Sequence, residues 1–185
     1  MIRTIISRQW RGLWTLTLLG LLTGSAQADD RMEIERKSQA ALKKLRLYAP
    51  DADKLINKAS GVLVFPDVVR MGFGEGGRYG EGVLLVKKQP VAYYATAGGH
   101  HNVPETDGLK AEVVLFMTQD ALVSFRNTVS WKIGVSGGVT RVHVNDRGRI
   151  ESSRATGSVL GFTFSDKQLT PNLDLAGTTI NRISR

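Results

Sequence analysis

The sequence predicts an α+β fold: N-terminal helices, then a mostly antiparallel, glycine-rich β-sheet, sandwich- or barrel-like, with one inserted helix. Three observations predict it. Apolar residues recur at helical spacing in two regions, residues 31–58 and 118–127. Elsewhere, from Gly61 onward, short apolar or alternating runs are separated by turn residues, which is strand patterning. Residues 61–86 also hold seven glycines between two apolar runs. Helices followed by many short strands is the order of an α+β domain.

Residues 1–28 read as a secretory signal peptide. Arg3, Arg8 and Arg11 form its basic end, residues 13–22 its apolar run, and Ala26-Gln27-Ala28 a small-x-small cleavage site. The apolar run falls short of the roughly 20 residues that span a hydrocarbon core. Residues 29–185 then form one domain, periplasmic or secreted after cleavage near Ala28. The leader carries three of the 25 basic residues and none of the 17 acidic ones, so the net charge falls from +8 to +5. Such a modest basic excess suits anionic surfaces. No nucleic-acid-binding motif is present. The chain has no cysteine, which excludes disulfides, thiolate metal sites, cysteine nucleophiles and a lipid-modified cysteine after the leader.

The first helix is expected over residues 31–48, capped by Asp29 or Asp30, with Ile34, Ala41, Leu42, Leu45 and Tyr48 on its apolar stripe. Pro50 ends it. Asp51 or Asp53 caps a shorter helix through Lys58. Residues 61–65 form a strand that Pro66 stops. Residues 83–86 and 91–96 form a hairpin around a Lys87-Lys88-Gln89-Pro90 turn. Residues 98–108 are a loop, and residues 112–117 a buried strand. Thr118 caps a helix through Asn127, with Ala121, Leu122 and Phe125 facing the core. Residues 131–144 alternate as a strand up to a turn at residues 145–148. Residues 158–164 and 173–183 are the last strands.

Residues 72–77 match the pattern G-x-G-x-x-G, but a dinucleotide site needs a helix next. Residues 78–83 instead alternate with period two. On a strand, Gly72, Gly74, Gly76, Gly80 and Gly82 share one face, stripped of side chains so that a backbone, a helix or a ligand can approach. His100, His101 and His143 are the only histidines, and adjacent strand residues point opposite ways. They read as solvated loop residues; a metal or acid–base site using them with Glu105 and Asp107 is the sharper alternative. No catalytic triad pattern is present.

The basic residues form the more informative set. Lys43, Lys44, Arg46, Lys54 and Lys58 lie in the helical region, and Arg70, Arg78, Lys87 and Lys88 come after it, between residues 70 and 88. A basic amphipathic helix can lie on an anionic membrane; equally, its apolar stripe can pack on the sheet with the lysines solvated.

Five segments, KASGVLVFP (58–66), GFGEGGRYGEGVL (72–84), VLFMTQDALVSFR (114–126), WKIGV (131–135) and GFTFSDKQLTPNLDLAGTTINRI (161–183), are together similar to the SYLF domain, also called the lipid-binding SYLF or Ysc-type actin-binding domain. The resemblance covers nearly all of residues 29–185 and is strongest to exported bacterial members. It implies an α+β domain that binds lipid, with no catalytic residues and no cofactor. Eukaryotic relatives bind phosphoinositides and some yeast relatives bind actin, so anionic phospholipid is the ligand that transfers to a bacterial envelope. Residues 98–108 depart from the family's glycine-rich turn. The expectation is therefore an exported, non-enzymatic domain on anionic phospholipid, using the nine basic residues above and the glycine-rich sheet. An envelope protein-interaction module without a lipid ligand, its protein partner unknown, is the alternative.

Overall fold

The computed structural model describes residues 25–71, 77–98, 110–142, 144–145, 147–150, 156–165 and 177–185. Residues 1–24 of the expected leader, Gly72, Gly74, Gly76, all three histidines, Glu105 and Asp107 lie outside the described residues. Three helices and eight strands are present among the described residues: α1 (Ser25–Tyr48), α2 (Ala52–Lys58), β1 (Gly61–Met71), β2 (Gly77–Val86), β3 (Gln89–Gly98), β4 (Lys110–Phe116), α3 (Gln119–Asn127), β5 (Ser130–Lys132), β6 (Thr140–Arg141), β7 (Val159–Ser165) and β8 (Thr178–Ile183). The strands form one sheet in the order β5-β8-β3-β2-β1-β4-β7-β6. Every pair is antiparallel except β6–β7. The predicted α+β class with a mostly antiparallel sheet is what the chain adopts.

Several element boundaries differ from the sequence reading. Helix α1 begins at Ser25, so Asp29 and Asp30 lie inside it rather than capping it; Ala26 and Ala28 are good helix formers and let it start earlier. Asp51 occupies the N-cap position of α2 without making the cap bond. Its carboxylate instead accepts from the Arg149 Nε at 2.8 Å. Thr118 does cap α3, accepting from the Ala121 N–H at 3.2 Å. The strand expected over residues 131–144 is broken. Gly134 at φ +88° turns the chain, and the Gly134 N–H bonds the Gly137 carbonyl at 2.9 Å.

The largest departure is β1, which runs through Pro66 to Met71. Between Val64↔Val83 and Asp67↔Glu81, two β1 residues oppose Gly82 alone, and the β4 side shows the same interruption between Phe65 and Val68. This is a β-bulge. Proline donates nothing to a ladder, and a bulge is where a central strand tolerates it. Gly82 answers the bulge: a Cβ there would lie 2.1 Å from the Val64 carbonyl oxygen and 2.6 Å from Phe65 Cδ1. At Gly80 and Gly82, then, the side-chain-free face is covered by the neighbouring strand.

Both faces of the sheet are buried. Ile34, Leu42 and Leu45 of α1 and Ile56 of α2 pack on one face against Val62, Val64, Val83, Val113 and Phe162. On the other, Leu122 and Phe125 of α3 join Phe65, Phe116, Tyr94 and Trp131. Phe125 stacks on Phe116 with centroids 4.6 Å apart and meets Trp131 edge-on at 5.5 Å. The α3 face is the concave one. Strands β8 and β4 are four positions apart, about 19 Å in a flat sheet. Yet the single guanidinium of Arg78 reaches both Thr178 on β8 and Glu112 on β4. The sheet is therefore curled into a half-barrel, with α3 inside and α1 and α2 outside.

Candidate functional site

The basic residues expected to form the site fall into three environments. Lys43, Lys54, Lys58, Lys87 and Lys88 are exposed. Lys43 shares the outer stripe of α1 with Leu47, which is 73% exposed. Lys87 and Lys88 form the whole of a two-residue turn between β2 and β3, with φ of 51° and 67°. That is the left-handed pair of a type I′ turn, usually filled by Asn-Gly. Arg46 is half-buried and its Nε donates to Asp53 at 2.7 Å. Lys54 lies 4.0 Å from Asp51. Among the described residues no carboxylate pairs with Lys43, Lys58, Lys87 or Lys88.

The fold brings these segments together. The hydrogen bond from Arg46 holds the Asp53 carboxyl below the usual carboxylate range; Asn57 and the nearby charge of Lys88 add to this. The turn between β2 and β3 thus lies beside α2 and the end of α1, 35 residues away in sequence.

Arg78 is corrected. Its side chain is 10% exposed and its Nη1 sits 2.7 Å from Oε1 of Glu112, itself 3% exposed. The contact is one of charge, since neither atom makes an aligned hydrogen bond there. Arg78 Nη2 donates to Thr178 Oγ1. Burial pushes the Glu112 carboxyl up, against the opposing charges of Arg78 and Lys110. Lys110 is buried on the same concave face. Arg78 therefore braces the inside of the half-barrel and does not meet an outside surface. The side chain of Arg70 lies outside the described residues.

Lys44 belongs to a third place, a crevice of about 330 Å³ between α1 and the sheet. Lys37, Ala41 and Lys44 line it from α1, and Pro66, Asp67 and Phe164 from the sheet. Lys37 Nζ lies 2.7 Å from Asp67 Oδ2. The Asp67 hydrogen bond raises the Lys37 ammonium above its ordinary value, so it stays charged.

Sequence reading misses Lys37, Asp67 and the buried pair. Lys37 is not on the apolar stripe that the sequence predicts for the first helix, and the bulge that turns Asp67 toward it has no sequence signal beyond Pro66. Lys110 and Glu112 do carry a signal, because they share strand parity with Val114 and Phe116, which face the core. No cluster of three metal-ligating side chains occurs among the described residues. No helix among them is long and apolar enough to cross a membrane. Compared with protein-family models and with curated proteins, the chain matches none. The SYLF resemblance accordingly rests on the five segments alone.

Proposed function

We propose that this is an exported, non-enzymatic domain of SYLF type that binds anionic phospholipid peripherally. Its contact surface is Lys43, Lys54, Lys58, Lys87 and Lys88, with Leu47 as an apolar contact beside them. One observation supports the reading: exposed lysines of α2 and of the β2–β3 turn, distant in sequence, lie near one another, since the charge of Lys88 acts on Asp53, and Lys43, Lys58, Lys87 and Lys88 form no salt bridge among the described residues. Each lysine near an anionic leaflet contributes about 1 kcal/mol, falling off within a Debye length. Gly80 and Gly82 contribute no lipid contact, because β1 covers them. The test is co-sedimentation of purified protein with vesicles of phosphatidylcholine alone or mixed with phosphatidylglycerol. Pelleting with the anionic vesicles at low salt and its loss at high salt is expected. No pelleting with anionic vesicles at low salt overturns the proposal.

A second reading is supported by a different place. Val129 and Val135, 89% and 76% exposed, flank the edge strand β5. Exposed apolar side chains beside an open sheet edge suit a protein partner. A defined partner that survives detergent, with vesicle binding absent, would favour the interaction module.

A further inference from the structure

A second basic surface lies on the α3 side of the sheet, with α1 and α2 on the other side. Phe125 packs against Tyr94 with ring centroids 4.9 Å apart, so Arg126, the next residue of α3, comes out beside Tyr94. Arg182 is the Cα partner of Tyr94 across the β3–β8 ladder. Two guanidinium groups thus reach one place from two elements. Burial pushes the Tyr94 phenol up, against the charges of Arg182 and Arg126, which both act on it. Both arginines are exposed, and neither pairs with a carboxylate among the described residues. Apolar side chains border them. Val123, exposed, precedes Arg126 by one turn and shares its helical stripe. Ser130 pairs with Asn181, which brings the preceding Val129, 89% exposed, alongside Arg182. The neighbouring edge of β5 is largely closed by the turn that follows it. The Lys132 N–H donates to Ser136 Oγ at 3.1 Å, and the Lys132 carbonyl accepts from the Val135 and Ser136 N–H groups at 3.1 and 2.8 Å. A partner at this rim is therefore held by side chains more than by an added strand.

We infer that this rim, formed by Val123, Arg126, Val129 and Arg182, docks an acidic segment of a partner protein, its carboxylates on the two guanidinium groups and an apolar side chain against Val129. The inference deepens the protein-partner reading and rests on it; it does not depend on the lysine surface. Charge complementarity selects the occupant. Two cations with no carboxylate of their own attract an acidic partner and repel a basic one. The planar guanidinium binds carboxylates bidentately and in a fixed direction. Arginine is also enriched in protein interfaces. An anionic leaflet is the other occupant of matching charge. Lys54 and Lys58 lie with α2 on the opposite side of the sheet, so a leaflet held there leaves this rim to a different partner.

Fluorescence polarisation of purified protein with a short labelled peptide, rich in glutamate with leucine interspersed, tests this. The same peptide with lysine in place of glutamate is the charge control. Saturable binding of the acidic peptide, absent for the basic one and weakened at high salt, is expected. Arg126→Glu/Arg182→Glu should weaken it about tenfold, and Val129→Ser about fivefold. All three residues are exposed, so both variants should keep the folded circular dichroism spectrum. Lys87→Glu/Lys88→Glu should lose vesicle pelleting and keep peptide binding. No saturable binding of the acidic peptide overturns the inference. So does a loss in Lys87→Glu/Lys88→Glu as large as that in the arginine variant, which marks general charge attraction. If the peptide does not bind and Arg126→Glu/Arg182→Glu loses pelleting with anionic vesicles, the rim belongs to a leaflet and the inference falls. Binding that both rim variants keep and Val135→Ser loses overturns the rim while the protein-partner reading stands, with the partner moved to the turn after β5.

Discussion

Replacing Arg78 by methionine tests the buried charge pair inside the half-barrel. The change removes the guanidinium 2.7 Å from Glu112 and leaves a carboxyl that is 3% exposed. Breaking a buried pair from one side costs about 3–5 kcal/mol while the remaining group stays charged. Here the remaining group has an escape. Its pKa is already raised above 4.5 by burial, and Arg78 is the first of the charges holding it down. Without Arg78 it rises further. An acid whose folded-state pKa is raised lends its stability below the unfolded value and loses it as pH rises through the folded value. In the wild type that loss starts above about 4.5, and in the variant it extends to higher pH. Urea unfolding followed by circular dichroism at about pH 5 and about pH 8 gives both stabilities. The deficit of Arg78→Met should be several kcal/mol at the higher pH and clearly smaller at the lower. Adding Glu112→Leu should restore much of it, since an apolar pair replaces a charged one. Equal deficits at the two pH values, or deficits below about 1 kcal/mol at both, would refute the account of this pair.

The same geometry sets three further outcomes. Gly82→Ala drives a methyl group into the β1 backbone and should cost about 3 kcal/mol or more, read as a lowered Tm, because backbone cannot step aside as a side chain can. Lys87→Asn/Lys88→Gly relieves two left-handed residues and should raise stability by about 1–2 kcal/mol while weakening vesicle binding. Phe125→Ala empties the ring cluster around Phe116 and Trp131 and should cost about 3–5 kcal/mol in chemical denaturation; Trp131 emission, blue in the native protein, should redden on unfolding in both proteins.

The periodic parts of this fold are legible in the sequence. The stripe Ile34, Leu42, Leu45 places α1, and the cap at Thr118 places α3, because both signals are local. Hairpin β2–β3 is readable too, although its turn is two residues rather than four. The illegible parts depend on partners distant in the chain. Pro66 reads as a strand stop, since only a bulge matched by Gly82 on the next strand lets β1 pass through it. Asp51 reads as a helix cap, but Arg149 takes its carboxylate. Arg78 reads as one more surface cation in a basic stretch; its burial depends on a curl that brings β4 and β8 within reach of one side chain. Trp131, the one tryptophan beyond the expected leader, is 2% exposed, so its emission reports the core. The exposed lysines are identifiable by type, whereas their convergence needs the turn at Lys87-Lys88 to come down beside Asp53.

That convergence is the central claim, and a charge-reversal partition experiment tests it most directly. Lys54, Lys58, Lys87 and Lys88 are changed together to glutamate, and binding to phosphatidylglycerol-containing vesicles is measured beside the wild type at low salt. At about 1 kcal/mol per lysine, loss of the four attractions alone predicts a fall of roughly a thousandfold in the partition coefficient, with the folded circular dichroism spectrum retained. A folded quadruple variant that partitions as well as the wild type would contradict the account.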